Sequence, residues 1–182
     1  RIGGDDDGVL AGVAAALAAG YGAARGAFAD IDVAADRWRV RREHRAAGVV
    51  PIDGNQPLSA CPAALVADLR AGAAVAVDDA SVDPRTAPVF ARAYRPLGVR
   101  SFAVAPLLRD GALVGACAVT ADVPMVWKVN DLAVLETGAA RAWTAVEQRR
   151  LNGEVRDRER RLALLANAMP QVVWVADPDG TV

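Results

Sequence analysis

The fold is decided by SFAVAPLLRDGALVGACAVT, residues 101–120. Two apolar runs, 101–108 and 112–120, are joined there by Arg109-Asp110-Gly111. An Asp-Gly pair between two such runs is a strong short-range signal for a β-hairpin, because both residues tolerate the positive φ angles of its tight turn. The stretch therefore predicts two adjacent antiparallel strands.

The residues before this hairpin predict a mostly antiparallel sheet with helices on its faces. Apolar residues at helical spacing, bounded by glycine or proline, predict helices over 9–20, 62–72 and 86–97. Alternation of side-chain type predicts strands over 23–32, 36–46 and 73–77, of which the first two form a hairpin. Residues 47–59 are rich in glycine and proline and predict a loop. This order of elements indicates an α+β fold.

A long helix is predicted from residue 129 to about 161. Its first apolar stripe alternates steps of three and four residues, which is typical of a coiled-coil seam. We therefore expect two copies of the chain to meet along Leu132, Leu135, Ala139, Ala142 and Val146. The stripe is displaced near Asn152-Gly153, and a glycine inside a helix costs about 1 kcal/mol relative to alanine. Gly153 is therefore either a relay point in a helical linker or a simple join between two packed units.

Composition excludes several classes of protein. The chain has 21 Lys and Arg against 22 Asp and Glu, so its net charge of −1 provides no basic field for nucleic acid or an anionic membrane. Two cysteines and one histidine are too few for most metal and catalytic constellations. No apolar run is long enough to span a bilayer, and the N-terminus has no signal-peptide pattern. We expect a cytoplasmic piece of a longer polypeptide, without a catalytic or metal site.

Short motifs occur in a fixed order along the chain. They include Gly22-Ala23-Ala24-Arg25, Val75-Ala76-Val77-Asp78-Asp79, Asp83-Pro84-Arg85, Gly98-Val99-Arg100, Ala105-Pro106-Leu107, Asp110-Gly111 and Trp127. Over residues 8–150 this set resembles the GAF domain family found in bacterial sensor kinases. The tail 164–180 resembles the opening of a PAS domain. The resemblance divides the chain into a GAF-like sensory domain over 1–150, a helical linker over 151–163 and the truncated start of a PAS domain over 164–182.

The resemblance implies a sensory module of a signal-transduction protein, such as a sensor histidine kinase. A small molecule or a partner would bind on one face of the sheet, and a dimeric helix would relay the response to PAS and kinase domains downstream. Some family members hold a bilin through a cysteine beside a histidine, and others bind cyclic nucleotides through an Asn-Lys and Phe…Asp-Glu signature. Neither pattern occurs here, so the cofactor is unknown. The alternatives are a ligand-free dimerisation spacer and, with less support, a redox sensor.

Large side chains indicate where a ligand would bind. Face parity suggests Trp38, His44, Tyr94 and Phe102, with His44 on the strand face of Trp38 because the two positions differ by an even number. Cys61 precedes a predicted helix N-terminus, where the dipole lowers a thiol pKa, and is the redox candidate.

Other notable residues have ordinary structural explanations. Cys117 lies in an apolar strand and is expected in the core. Turn formation is the simplest explanation for Asp78, Asp79 and Asp83, although they are also candidates for a hard cation. Trp127 and Trp143 are expected to anchor the long helix on the sheet.

Overall fold

The computed structural model describes residues 4–168 of the chain, which contain four α-helices and six β-strands. The helices are α1 (Gly4–Tyr21), α2 (Ala63–Arg70), α3 (Phe90–Ala93) and α4 (Val129–Ala168). The strands are β1 (Arg25–Asp32), β2 (Arg37–Arg45), β3 (Gln56–Pro57), β4 (Val75–Val77), β5 (Ser101–Arg109) and β6 (Ala112–Ala121). Single 3₁₀ turns cover Leu58–Ala60, Ala87–Val89 and Arg95–Leu97.

The strands form one antiparallel sheet in the order β3-β2-β1-β6-β5-β4. The predicted β5–β6 hairpin is confirmed, with Asp110 at φ 51° and Gly111 at φ 76° in its turn. Positive φ at both central residues matches the right-handed twist of the flanking strands. The predicted β1–β2 hairpin is also confirmed. The α+β fold, an antiparallel sheet flanked by helices with a long C-terminal helix, is as expected from the sequence.

Helices α1 and α4 pack on one face of the sheet, here called the helix face. Leu10, Phe28, Val119 and Leu135 are buried together in its core. Gly26 allows this packing, because a Cβ at that position would lie 2.1 Å from the carbonyl oxygen of Ala14 in α1. A second core, built around α2, the β4–β5 region and the turns near α3, covers part of the opposite face. Its buried members are Leu65, Leu69, Val75, Val77, Ala80, Val99, Phe102 and Leu113.

Two local predictions are wrong. The single helix expected over 86–97 is instead a 3₁₀ turn, the short helix α3 and a second 3₁₀ turn. Pro88 and Pro96 lie at the starts of the two 3₁₀ turns, where the missing N–H and the fixed φ of proline interrupt a continuous helix. Residues 47–59 were expected to lack strands, but they contain β3, which pairs with β2.

The prediction that the first stripe of the long helix is a seam between two chains is also wrong. Leu135, Ala139, Ala142 and Val146 are all buried in the helix-face core of their own chain, and Leu132 packs against the same core. The sheet supplies the apolar surface that we expected from a second copy. As predicted, Trp127 and Trp143 pack against this core as well.

The chain divides into two units, Arg1–Glu147 and Gln148–Val182. In the second unit, α4 continues to Ala168 without a break at Gly153. Leu151, Val155, Leu162 and Leu164 are exposed there. Most of the segment expected to begin a PAS domain, 169–182, lies outside the described residues. Within 4–168, no helix combines the length and apolar character that crossing a bilayer requires.

Candidate ligand site

The sheet face opposite α1 and α4 has a floor of alanines. Ala27 lies opposite Ala118, and Ala29 lies opposite Ala116, on the adjacent central strands β1 and β6. Their sequence neighbours Phe28 and Cys117 point into the helix-face core, and successive strand side chains point to opposite faces. The four alanines therefore share the other face, which we call the alanine face. These side chains end at Cβ and form a floor of small residues, in which Ala27 and Ala116 are buried and Ala29 and Ala118 are partly buried.

Large side chains flank this floor on the β5 side. Phe102 lies two strands from β1 on the alanine face, and the Tyr94 ring stacks on it with 5.4 Å between centroids and 15° between planes. Burial raises the pKa of Tyr94 above its ordinary value, and nearby Cys61 raises it further. The phenol therefore stays protonated at neutral pH and can donate a hydrogen bond to a ligand.

Trp38 flanks the floor on the β2 side, opposite Ile31. The pKa of the Cys61 thiol is raised mainly by burial, although the nearby Trp38 indole lowers it in part. The indole Nε1 is nevertheless buried without a hydrogen-bond partner of ordinary geometry. The structure thus brings Trp38 and Cys61 together and places Cys61 near enough to Tyr94 to affect its titration.

His44 does not share a face with Trp38, so that prediction is wrong. The pairing of β1 with β2 steps from Phe28–Arg42 to Ala29–Val40 and leaves Arg41 as an extra residue in β2. A β-bulge of this kind reverses the alternation beyond it. His44 consequently lies opposite Gly26 on the helix face, where it is exposed.

The same bulge brings a charged cluster to the alanine face. Beyond it, Glu43 lies opposite Ala27, and Arg45 lies opposite Arg25. Arg25 is 1% exposed and shares Glu43 with Arg45, whose Nε is 2.7 Å from Glu43 Oε1. Burial lowers the pKa of Arg25, and Glu43 partly offsets the effect. Our site prediction missed this cluster. The sequence did place Arg25 on the same strand face as Ala27 and Ala29, because the three positions follow one another at intervals of two residues, and this could have identified it.

A groove of about 350 Å³ lies at the closed end of the β1–β2 hairpin. It is lined by Asp30, Ile31, Asp32, Arg37, Trp38, Arg39 and Asn55. Its charges pair with one another, Arg37 with Asp32 at 3.5 Å and Arg39 with Asp30 at 3.4 Å. Exposed pairs of this kind are worth little energetically, so the groove offers a polar edge next to Trp38 and no free charge for a ligand.

The aspartates after β4 shape a loop. Asp79 Oδ1 accepts hydrogen bonds from the Ser81 backbone N–H and from Arg100 Nε, and Asp83 pairs with Arg85 at 2.7 Å. Asp78 accepts a hydrogen bond from the Trp127 backbone N–H. These contacts agree with the turn-forming role expected from the sequence. Across residues 4–168, no three side chains of the His, Cys, Asp and Glu types gather in a way that would hold a metal ion.

Comparison with known proteins identifies a family. The GAF domain family profile matches residues 6–146. A search of curated proteins finds no match.

Several solved structures have the same fold. The PixJ GAF domain of Thermosynechococcus elongatus, in its blue-light absorbing form, is 19% identical, with a TM-score of 0.68 and coverage of 90% of this chain and 94% of that one. A methyl-accepting chemotaxis protein fragment, residues 122 to 287, is 22% identical, with a TM-score of 0.63 and coverage of 83% and 93%. Free methionine-R-sulfoxide reductase from Neisseria meningitidis is 20% identical, with a TM-score of 0.57 and coverage of 81% and 84%.

Proposed function

The chain belongs to the GAF domain family, and from this premise we propose that it is a small-molecule sensory module of a signal-transduction protein. The proposal rests on one observation: the two faces of the sheet are covered differently. One face is filled by α1 and α4, whereas the other has a floor of alanines between Trp38 and Phe102. A ligand on the alanine face would contact the strands that support α4. It would shift a conformational equilibrium by its differential affinity for the two states.

The test is to find the ligand and then to fill its site. Native mass spectrometry of the purified chain should detect a bound small molecule, or a metabolite library should contain compounds that raise the melting temperature. Ala118→Leu should abolish that binding, because Ala118 is a partly buried floor residue. Ala16→Leu, at an exposed position of α1, is the matched control. If nothing binds the wild-type chain, a dimerisation spacer without a ligand replaces this proposal.

We propose that the second unit provides the dimer contact. Leu151, Val155 and Leu162 are 54%, 57% and 59% exposed and follow one another at intervals of four and seven residues. This spacing is typical of a two-helix seam, and burying such side chains against a second copy is favourable. Leu151→Glu should dissociate the dimer in analytical ultracentrifugation. Asn152→Glu, at the adjacent exposed position, should leave it intact; a monomeric wild-type chain would contradict the proposal.

The parent protein is proposed to be a cytoplasmic sensor histidine kinase with a PAS domain after this segment. Support comes from the family and from the PAS-like sequence 164–180. The unpaired thiols of Cys61 and Cys117 suit a reducing compartment. Sequencing the complete gene tests the domain order directly, since a chain without a kinase or PAS domain would contradict it.

The module itself is proposed to be non-catalytic. A thiol enzyme needs an accessible thiolate near neutral pH, but burial raises the pKa of Cys61 and raises that of Cys117 to about 12. The reductase from Neisseria meningitidis shares the fold at low identity. Incubation with free methionine sulfoxide and a thiol reductant should therefore give no turnover above the buffer rate, and turnover would contradict the proposal.

A further inference from the structure

Buried polar atoms without hydrogen bonds cluster around Arg25 and Glu43. Among the residues that the structure describes, four buried side-chain atoms lack a hydrogen-bond partner, and three of them are Arg25 Nε, Arg25 Nη1 and Glu43 Oε2. Both residues lie on the alanine face, opposite or next to Ala27. Buried polar groups in folded proteins are almost always hydrogen-bonded. Arg25 Nε and Glu43 Oε2 lie 3.3 Å apart as an ion pair, so Arg25 Nη1 is the atom of this cluster that has no partner.

The charges in this cluster do not balance. Arg25 and Arg45 lie directly opposite each other, an arrangement of like charges that destabilises a strand pair. Glu43 serves both, with 2.7 Å from Oε1 to Arg45 Nε and 3.3 Å from Oε2 to Arg25 Nε. One carboxylate for two guanidiniums leaves an excess of one positive unit in a cluster where the Arg25 side chain is 1% exposed and the Arg45 side chain is 37% exposed.

Neutral carbonyl groups of a loop accept hydrogen bonds from one further nitrogen of each guanidinium. Arg25 Nη2 donates to the carbonyl oxygen of Val50, and Arg45 Nη1 donates to that of Val49 over 2.9 Å. This loop follows β2 directly, and its residues 46–48 and Val50 are exposed. A carboxylate is a better acceptor for a guanidinium than a carbonyl, because the hydrogen bonds are charge-assisted and can be bidentate.

We propose that Arg25 and Arg45 bind the carboxylate of a small α-hydroxy or α-amino acid, which displaces the carbonyl groups of Val49 and Val50. Glu43 Oε2, which has an ion-pair contact but no hydrogen bond, accepts a hydrogen bond from the hydroxyl or amino group beside that carboxylate. A small apolar substituent of the ligand lies over Ala27 and Ala118. This inference rests on the proposed sensory function, because it names the class of ligand that the alanine face takes.

Isothermal titration calorimetry of the full chain tests the inference with sodium L-lactate, sodium acetate and L-lactamide. Lactate should bind at least tenfold more tightly than lactamide, which has no charge. It should also bind more tightly than acetate, which has no hydroxyl or amino group that could donate a hydrogen bond to Glu43. Equal affinity for lactate and lactamide, or no binding of any carboxylate, would overturn the inference.

Two variants separate the roles of the residues. Arg25→Lys keeps the positive charge but removes the planar guanidinium with its paired donors, so it should weaken lactate binding at least tenfold. Arg37→Lys, on the helix face, is the control and should leave lactate binding unchanged. Glu43→Leu, which has no hydrogen-bond acceptor, should bring lactate and acetate to similar affinity. Unchanged binding by Arg25→Lys would refute the site.

Hydrogen exchange on the wild-type chain serves if Arg25→Lys does not fold. Lactate should change the exchange rate of the Val49 amide, which donates to Ala46, and leave the Gly98 amide unchanged. No change at Val49 would also refute the site. If carboxylates fail but another small molecule binds and Ala118→Leu blocks it, the ligand class is wrong and the sensory function stands. If no small molecule binds, the sensory function fails as well.

Discussion

Truncating Leu135 distinguishes a core helix from a dimer seam. Leu135 is 1% exposed in the core beneath α4, alongside Ala139 and Phe28. Leu→Ala at a closely packed site loses the transfer free energy of the removed atoms and leaves a cavity, at a cost of about 2–5 kcal/mol. For a unit of this size that loss lowers the melting temperature by on the order of 10 °C. Leu162→Ala removes the same atoms from a side chain that is 59% exposed, so it should change the stability of the first unit by less than about 0.5 kcal/mol.

Tryptophan fluorescence during urea denaturation is a suitable assay. Trp127 and Trp143 pack against the same core as Leu135 and therefore report its unfolding. Leu135→Ala should lower the urea midpoint by the same amount at low and high protein concentration, because the lost contacts are within one chain. A midpoint that falls with dilution is the behaviour of a coupled dimer.

A loss of dimerisation without a loss of stability would place Leu135 at a contact between chains. If Leu135→Ala converts a dimer into a folded monomer with an unchanged urea midpoint, Leu135 lies between chains and not against the sheet. Leu162→Ala serves as the internal comparison, since its expected effect is weaker self-association with no loss of stability in the first unit.

Three further predictions concern packing, acid stability and thiol reactivity. Gly26→Ala should destabilise the chain by about 1–3 kcal/mol in urea titrations, because its Cβ would meet the Ala14 carbonyl oxygen, whereas Gly12→Ala in α1, with open space around it, should stabilise by up to about 1 kcal/mol; equal effects would contradict the packing. Hydrogen bonds from Arg100 and Ser81 hold the pKa of Asp79 well below its ordinary value, so its contribution to stability is present above about pH 4 and is lost as the pH falls. Asp79→Asn should therefore show a smaller loss of melting temperature between pH 5 and pH 3 than the wild type. Burial raises the pKa of Cys61, so labelling with iodoacetamide at pH 7 should be slower than for glutathione and should accelerate toward pH 9; fast labelling at pH 7 would favour the redox alternative.

Local sequence signals predicted the parts of the fold that depend on local chemistry. The Asp110-Gly111 pair determines the β5–β6 turn through the φ angles of two residues, with no need for a distant contact. Pro88 and Pro96 were visible in the sequence, but the split of the expected helix into α3 and two 3₁₀ turns depends on how that segment packs.

The long helix shows a limit of hydrophobic spacing. A helix packed on a sheet and a helix in a coiled coil both require an apolar stripe with steps of three and four residues. Leu135, Ala139 and Val146 fit either partner, and only the tertiary structure shows that the sheet covers them. The displaced stripe at Leu151 and Val155 was visible in the sequence and marks the point beyond which the side chains become exposed.

The candidate site was predicted in part for a related reason. Trp38 and Phe102 do face the side without α1 and α4, as their parity suggested. No residue near Arg41 has the backbone freedom that signals a bulge, so the reversal of alternation in β2 could not be read from the sequence. That single extra residue sends His44 to the helix face and brings Glu43 and Arg45 to Arg25.

The bulge also bears on how a signal would cross the sheet. Ala27 and Phe28 are neighbours in β1, one on the alanine face and the other in the core beneath α4. A ligand that draws Glu43 toward its own polar group would move β2, which is paired with β1 at Ala27. Displacement of β1 would also move Phe28, and a closely packed core has little free volume in which to absorb that movement. The ion pair between Arg109, at the end of β5, and Glu147 is a second contact between the same sheet and α4. Leu135 and Glu147 are thus two of the contacts through which movement of the strands would reach α4, and truncation at either position should weaken the coupling without removing ligand binding.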